Sequence, residues 1–188
     1  MKLHGLRIPV VFLGLVLGLC LFLGCQWLYQ KYNYQQPLNA SLSENKSVLS
    51  YKIDDKQEQL QIELRMSTPN LMEDYKKLYS KVATIMGNKP FVLKLTDDRD
   101  DKLAEAYYNS QYAIYQAISR GTYQEMAAVI RKESHALGAE SKVFIDRDNI
   151  YVQMKNDKHE LNEIIPRNSL QFLSVAMAGG EMFNAEGN

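Results

Sequence analysis

Hydrophobic positions are distributed unevenly along this chain, and the longest run of them lies near the amino terminus. From Ile8 to Leu28 the sequence reads IPVVFLGLVLGLCLFLGCQWL and contains no charged side chain. A helix of about twenty-one residues spans about 30 Å, which is the thickness of the hydrocarbon core of a bilayer. Residues 1–29 are therefore predicted to form an uncleaved signal anchor with one transmembrane helix.

Charged residues around this run predict its orientation. Lys2 and Arg7 precede it and Lys31 follows, a bias that places the amino terminus in the cytoplasm and the bulk of the chain outside the cell membrane. A cleaved secretory signal is a less favoured alternative, because the run is long and no A-x-A-like site follows it. A lipoprotein signal is a second alternative. It would end at Cys25, directly after the small residue Gly24, and would tether the chain through a lipid.

A polar segment, a hairpin and a helix are predicted to follow. Residues 30–47 are polar and lack periodicity, which is typical of a tether. Apolar and polar side chains alternate over 60–66, so this run and 48–53 are predicted to pair as a hairpin. Thr68-Pro69 is typical of a helix start, and the apolar residues that follow recur at spacings of three and four. A helix is therefore expected directly after the hairpin.

The remaining elements complete one mixed domain. In order they are a strand over 91–95, helices over 100–119 and 122–137, strands over 142–145 and 150–154, and a strand or short helix over 159–165. The order ββ-α-β-α-α-ββ(β) predicts an α+β domain over residues 48–170, with helices packed on a mainly antiparallel sheet. Residues 171–188 are Gly-rich and polar, so a disordered tail is expected there.

The second predicted helix has apolar side chains on two faces, where a surface helix has one. Leucine, alanine and isoleucine residues form one face. Tyr108, Tyr112 and Tyr115 lie nearly opposite, at spacings of four and three. Tyrosine is favoured at interfaces because it combines a large contact area with a polar tip. These tyrosines are the candidate binding residues for a protein partner or another copy of the chain. The alternative is that a neighbouring helix covers them.

Charge and cysteine content narrow the function classes. The 22 basic and 22 acidic residues of the whole chain cancel, and three of the basic ones precede residue 38 while no acidic one does. The chain from residue 38 onward therefore has a small acidic surplus, which argues against a nucleic-acid partner. Both cysteines, Cys20 and Cys25, lie in the apolar run. The predicted domain thus contains no disulfide and must be stabilised by its core.

Catalytic residue combinations are scarce in the predicted domain. It has two histidines, His135 and His159, and no cysteine to act as nucleophile or thiolate ligand. The acidic run over 97–101 lacks the spacing of an EF-hand loop, and it suits the start of a helix instead. Two carboxylates could still converge from distant positions to hydrolyse a glycoside. The sequence therefore predicts a non-enzymatic protein without a metal or cofactor.

The apolar run and the segment Val143–Arg167 carry a family resemblance. The segment contains the sequences Val-Phe-Ile-Asp, Asn-Ile-Tyr-Val-Gln-Met and Ile-Ile-Pro-Arg. With these sequences it resembles small single-pass extracytoplasmic proteins of Gram-positive bacteria, many of them uncharacterised. The resemblance transfers no functional residue. The favoured hypothesis is a membrane-anchored extracytoplasmic domain that scaffolds or recruits a protein partner in the cell envelope. The alternatives are a ligand-sensing module with a pocket between sheet and helices, and an envelope hydrolase with dispersed carboxylates.

Overall fold

The computed structural model describes residues 2–3, 6–30, 34–55 and 59–168. Within these ranges the chain forms eight strands and five helices. In chain order they are β1 (Lys2–Leu3), β2 (Leu6–Arg7), α1 (Ile8–Gln30), α2 (Gln36–Ser43), β3 (Val48–Asp54), β4 (Leu60–Met66), α3 (Leu71–Met86), β5 (Phe91–Thr96), α4 (Asp101–Arg120), α5 (Tyr123–Ala136), β6 (Glu140–Ile145), β7 (Asn149–Lys155) and β8 (Glu160–Pro166). The expected disordered tail over 171–188 lies outside the described residues.

The amino-terminal helix α1 corrects the membrane prediction. Its side chains are described from Val10 to Cys25, and all of them are exposed. In the part of the chain that the structure describes, no helix combines the length and the apolar character that crossing a membrane requires. The predicted transmembrane helix, signal anchor and single-pass membrane localisation are therefore wrong.

Residues 36–43, part of the tether predicted over 30–47, form the helix α2. Pro37 lies in its first turn, where the missing N–H costs no hydrogen bond. Leu38 and Leu42 are four residues apart, so they share one side of the helix, and both are fully buried. Two leucines among polar residues give too short a pattern to predict a helix, but they are enough to hold this one against a core.

The first half of the domain, residues 34–55 and 59–96, contains α2, α3 and a three-stranded sheet in the order β3-β4-β5. Every second residue of β4 is buried, as the alternation in its sequence predicts. β3 pairs with β4 antiparallel, whereas β5 pairs with β4 in parallel because α3 crosses between them. The core is built from the following buried residues: Tyr34, Leu38, Leu42, Leu60, Ile62, Leu64, Met66, Leu78, Val82, Met86 and Leu93.

The second half, residues 97–167, packs α4 and α5 on an antiparallel sheet in the order β6-β7-β8. The segment that was predicted as a strand or a short helix is the strand β8. Its core is separate from the first one and consists of these buried residues: Leu103, Ala106, Ile114, Ala117, Met126, Ile130, Ala139, Ile150, Val152, Met154, Leu161 and Ile165. Sequence therefore predicted the α+β class and the order of elements from residue 48 onward, but the single sheet is wrong.

The capping residues at the starts of α3, α4 and α5 can be compared with those that the sequence suggests. The cap of α3 is Asn70, whose side-chain oxygen accepts a hydrogen bond of 3.1 Å from the Glu73 N–H, rather than Thr68. Thr122 precedes α5, but its side chain makes no capping hydrogen bond. Asp100 does cap α4, by accepting from the Leu103 N–H at 2.9 Å. This carboxylate has the helix-capping role that was expected for the acidic run.

Candidate functional site

Helix α4 positions the candidate site through its buried face. Five of its side chains are buried on the side that faces the sheet and α5: Leu103, Ala106, Ser110, Ile114 and Ala117. The Ser110 hydroxyl donates 2.7 Å to the Ala106 carbonyl within the same helix, so this buried polar group is satisfied. Packing on one side fixes the rotation of α4 about its axis and leaves the opposite side facing outward.

The tyrosine face, defined as Tyr108, Tyr112 and Tyr115, lies on that outward side. The three side chains are 63%, 81% and 54% exposed. At 100° per residue they fall within an arc of about 60° on the helix. The alternative that a neighbouring helix covers them is not what the structure shows, because α5 packs on the other side of α4. Binding of a partner by these residues stays a prediction.

Tyr107, the neighbour of this face in the sequence, has a different environment. It is partly buried against the core of the second half, and the guanidinium of Arg99 lies 5.8 Å from its ring centre. Burial raises the pKa of its phenol above the ordinary value, and the nearby Glu163 carboxylate acts in the same direction. Arg99 in turn bonds Asp97 at 2.6 Å and Glu163 at 2.7 Å. Tyr107 is therefore part of the packed structure, unlike the exposed Tyr108.

The charges beside the tyrosine face are acidic. Asp101 and Glu105 are exposed on α4 and fall within about 60° of Tyr108 around the helix. Lys102 and Arg120, the two cations of the helix, point about 120° away from Tyr108. The arc of α4 within about 60° of Tyr108 thus combines three aromatic rings with two carboxylates and no cation of this helix.

The other residues considered for chemistry belong to different parts of the chain. Cys25, the lipidation candidate, is exposed in α1, and His135 is exposed in α5. His159 is partly buried, and its Nδ1 lies 2.8 Å from the Asp98 carbonyl oxygen. Among residues 2–3, 6–30, 34–55 and 59–168, no group of three His, Cys, Asp or Glu side chains could hold a metal ion.

Three carboxyl groups have lowered pKa values, which favours their ionised form. A backbone hydrogen bond from Glu160 lowers the pKa of Asp98, and one from Leu103 lowers that of Asp100. The pKa of Asp146 is lowered to about 2, because hydrogen bonds from Lys76 and from two backbone N–H groups outweigh the effect of burial. A general acid needs the opposite shift. These three carboxylates do not support the hydrolase alternative.

Comparison with known proteins gives no family assignment. No protein-family model matches the chain. No curated protein matches it either. The resemblance to single-pass extracytoplasmic proteins of Gram-positive bacteria accordingly stays a prediction, and the arguments about function rest on the geometry of the site alone.

Proposed function

We propose that this chain is a non-enzymatic binding module that recruits a protein partner through the tyrosine face of α4. The observation that supports the proposal is the exposure of Tyr108, Tyr112 and Tyr115 on one rigid helix. Each of these rings is more than half exposed although it is large and mostly apolar. A row of three such rings on one helix is typical of interfaces, where tyrosine is enriched relative to the rest of a protein surface.

The helical setting adds to the binding potential of the rings. The buried face of α4 is packed against the sheet, so the three Cα positions are fixed before any partner binds. A tyrosine side chain has only two rotatable angles, so little conformational entropy is lost when it is immobilised at an interface. A partner would therefore meet a surface that is already organised.

The acidic flank of the face specifies the chemistry of the partner. Glu105 and Asp101 precede Tyr108 by about one and two turns on the same side of α4. Arginine binds carboxylates with two hydrogen bonds and also stacks on aromatic faces. We therefore propose a partner whose binding surface carries arginine or lysine. A second copy of α4 fits less well, because it offers no cation on the same outward surface and would bring carboxylates together.

Crosslinking in cells tests this proposal. A photo-reactive residue replaces Gln116, which is exposed beside the rings, and in a control replaces Lys132, which is exposed on α5. The captured protein is identified, purified and titrated against the wild-type chain. We expect capture from position 116 and not from position 132. A partner that crosslinks equally from both positions would contradict the proposed surface.

Substitution of the rings completes the test. The triple variant Tyr108→Ala, Tyr112→Ala and Tyr115→Ala should lower the affinity for the purified partner at least about 100-fold, as truncation of interface hot spots does. A triple alanine variant of the exposed α5 residues Gln124, Arg131 and Lys132 serves as the control and should bind normally. Unchanged affinity in the tyrosine variant, or recovery of a crosslinked dimer of the chain alone, would overturn recruitment of a basic partner.

A further inference from the structure

A cleft of about 360 Å³ lies where the two halves of the domain meet, and none of the residues that line it belongs to α4. One wall is the connection between β4 and α3, residues 67–69. The floor is formed by two rows of side chains that cross the second sheet. One row is Lys142, Gln153 and Asn162, and the other is Glu140, Lys155 and Glu160. Residues two apart in a strand point to the same side, so both rows face the cleft.

The amide groups of the floor are fixed in place. Gln153 accepts a hydrogen bond of 2.9 Å from the Leu71 N–H and donates 3.0 Å to the Thr68 carbonyl. It also donates 3.2 Å to Asn162, which is 4% exposed and donates 2.9 Å to the Met66 carbonyl. These bonds connect the floor of the cleft to its wall. The cleft is thus formed before any ligand binds.

The charged side chains of the cleft differ in how many of their hydrogen-bond donors or acceptors are still free to bind a ligand. Glu160 is engaged, since it accepts 2.9 Å from the Ser67 hydroxyl and pairs with Lys155. Lys142 donates one hydrogen bond of 3.2 Å to the Pro69 carbonyl, which leaves two of its three N–H donors. Glu140 is exposed, and within the described part of the chain its carboxylate has no hydrogen-bond or ion-pair partner. Lys142 and Glu140 therefore offer a cation and an anion to a ligand.

The spacing of Lys142 and Glu140 along β6 indicates the size of a ligand that could contact both side chains. Lys142 and Glu140 are two residues apart in β6, so their Cα atoms are about 7 Å apart. A dipeptide spans about the same length in extended form, whereas the termini of a free amino acid are much closer. The volume of the cleft lies near the lower end of the about 300–1,000 Å³ that small-molecule sites occupy. A ligand with only negative charge would be repelled by the two glutamates of the floor, and a ligand with only positive charge by its two lysines.

We propose that this cleft binds a short peptide of about two residues in its zwitterionic form, with the carboxylate on Lys142 and the ammonium group on Glu140. The carboxylate of such a ligand would accept hydrogen bonds from the two remaining N–H donors of Lys142, so that both partners of each bond are ionised. This inference does not depend on the tyrosine face, because none of the residues involved belongs to α4.

Nuclear magnetic resonance titration tests the proposal with L-alanyl-L-alanine as the probe. Saturable shifts are expected for the backbone amides of residues 140–142 and 153–155 at millimolar concentration. L-alanine should bind more weakly, and so should the dipeptide with an acetylated amino terminus or an amidated carboxyl terminus. Absence of saturable shifts up to about 10 mM, or equal binding of the capped dipeptides, would overturn the proposal.

Substitutions identify the residues that bind each end. Lys142→Met and Glu140→Gln should each weaken dipeptide binding at least about tenfold, because each removes a hydrogen bond to a charged group. Lys142→Arg keeps the cation and should restore most of the affinity, which separates loss of charge from loss of the contact to Pro69. Lys132→Met and Glu125→Gln, on the exposed face of α5, are matched controls that should bind like the wild type. Normal binding by Lys142→Met would contradict the assignment.

Discussion

The two halves of the domain contain the same kinds of secondary-structure elements but differ in how the chain connects them. Each has one three-stranded sheet, two helices and its own apolar core. In the first half a helix crosses between β4 and β5, which makes that pair of strands parallel, whereas the second half is antiparallel throughout. Where the halves meet, hydrogen bonds and ion pairs accompany an aromatic contact between Tyr75 and Tyr151. The comparison teaches that burial stabilises each half, while polar contacts fix how one half is placed on the other.

Helix α3 is the element that belongs to both halves. Leu78 and Val82 are buried in the core of the first half. Tyr75 packs on Tyr151 of β7, with ring centres 6.3 Å apart, and Lys76 pairs with Asp146 at 2.9 Å. Because one helix contributes to both structures, we expect the halves to unfold as one cooperative unit.

Truncation in either core should have the largest effect. Leu64→Ala in the first half and Leu161→Ala in the second each remove a fully or almost fully buried side chain. Each should lower the free energy of unfolding by about 2–5 kcal/mol in urea titrations. Hydrogen exchange distinguishes the halves: the whole domain should lose protection in both variants. Loss of protection in the mutated half alone would show that the polar junction does not couple the two cores.

Removal of the buried amide at the junction should have the next largest effect. Asn162→Ala takes away the donor to the Met66 carbonyl and the acceptor of Gln153, so buried polar groups of both halves lose a partner. We expect a cost of about 1–3 kcal/mol in the free energy of unfolding. Asn168→Ala, at an exposed position, is the matched control and should change stability little. Equal stability of both variants would mean that the junction amides contribute nothing.

The ion pair at the other end of the junction should make stability depend on pH. The pKa of Asp146 is lowered to about 2 in the folded chain, below its ordinary value of 3.8. A lowered pKa stabilises the fold above the ordinary value, and this contribution is lost as the pH falls from about 4 toward 2. Asp146→Asn should therefore be less stable than the wild type at pH 7, by about 1 kcal/mol because Lys76 is half exposed.

Urea midpoints of the wild type and Asp146→Asn, measured from pH 7 to pH 2, test this dependence. The difference between the two proteins should shrink below pH 4. Asp157→Asn, at an exposed turn, is the control and should follow the wild-type profile. A constant difference between wild type and Asp146→Asn at every pH would show that ionisation of this carboxyl does not contribute to stability.

Local patterns predicted the elements of this fold but not its long-range arrangement. The alternation in β4 and the spacing of α4 are properties of neighbouring residues, and both elements were predicted correctly. The hydrogen bond from Asn162 to Met66 joins residues 96 positions apart, and no local pattern contains such a contact. Which strands pair with one another is also a long-range property, so local patterns did not predict the division into two sheets. The rows that form the cleft likewise require the register of three strands.

The candidate site was predicted only in part. Spacing placed the three tyrosines on one face, but a helix with two apolar faces can be covered on either side, so exposure had to come from the structure.

The membrane prediction was wrong for a different reason. It rested on the composition of Ile8–Leu28, whereas no helix in the described part of the chain meets the length and apolar character that a membrane span requires. In α2, two buried leucines were too few to reveal a helix.

The outward tyrosines should have the smallest effect on stability, and the same helix supplies their control. Tyr112→Ala removes a ring that is 81% exposed, so the free energy of unfolding should change by less than about 0.5 kcal/mol. Tyr107→Ala removes a ring that packs on the core and on Arg99, and should cost about 1–3 kcal/mol. Thermal or urea unfolding measures both. If both substitutions destabilised the chain equally, Tyr112 would be part of the packing of the monomer, and the outward face of α4 would no longer be distinct from the inward one.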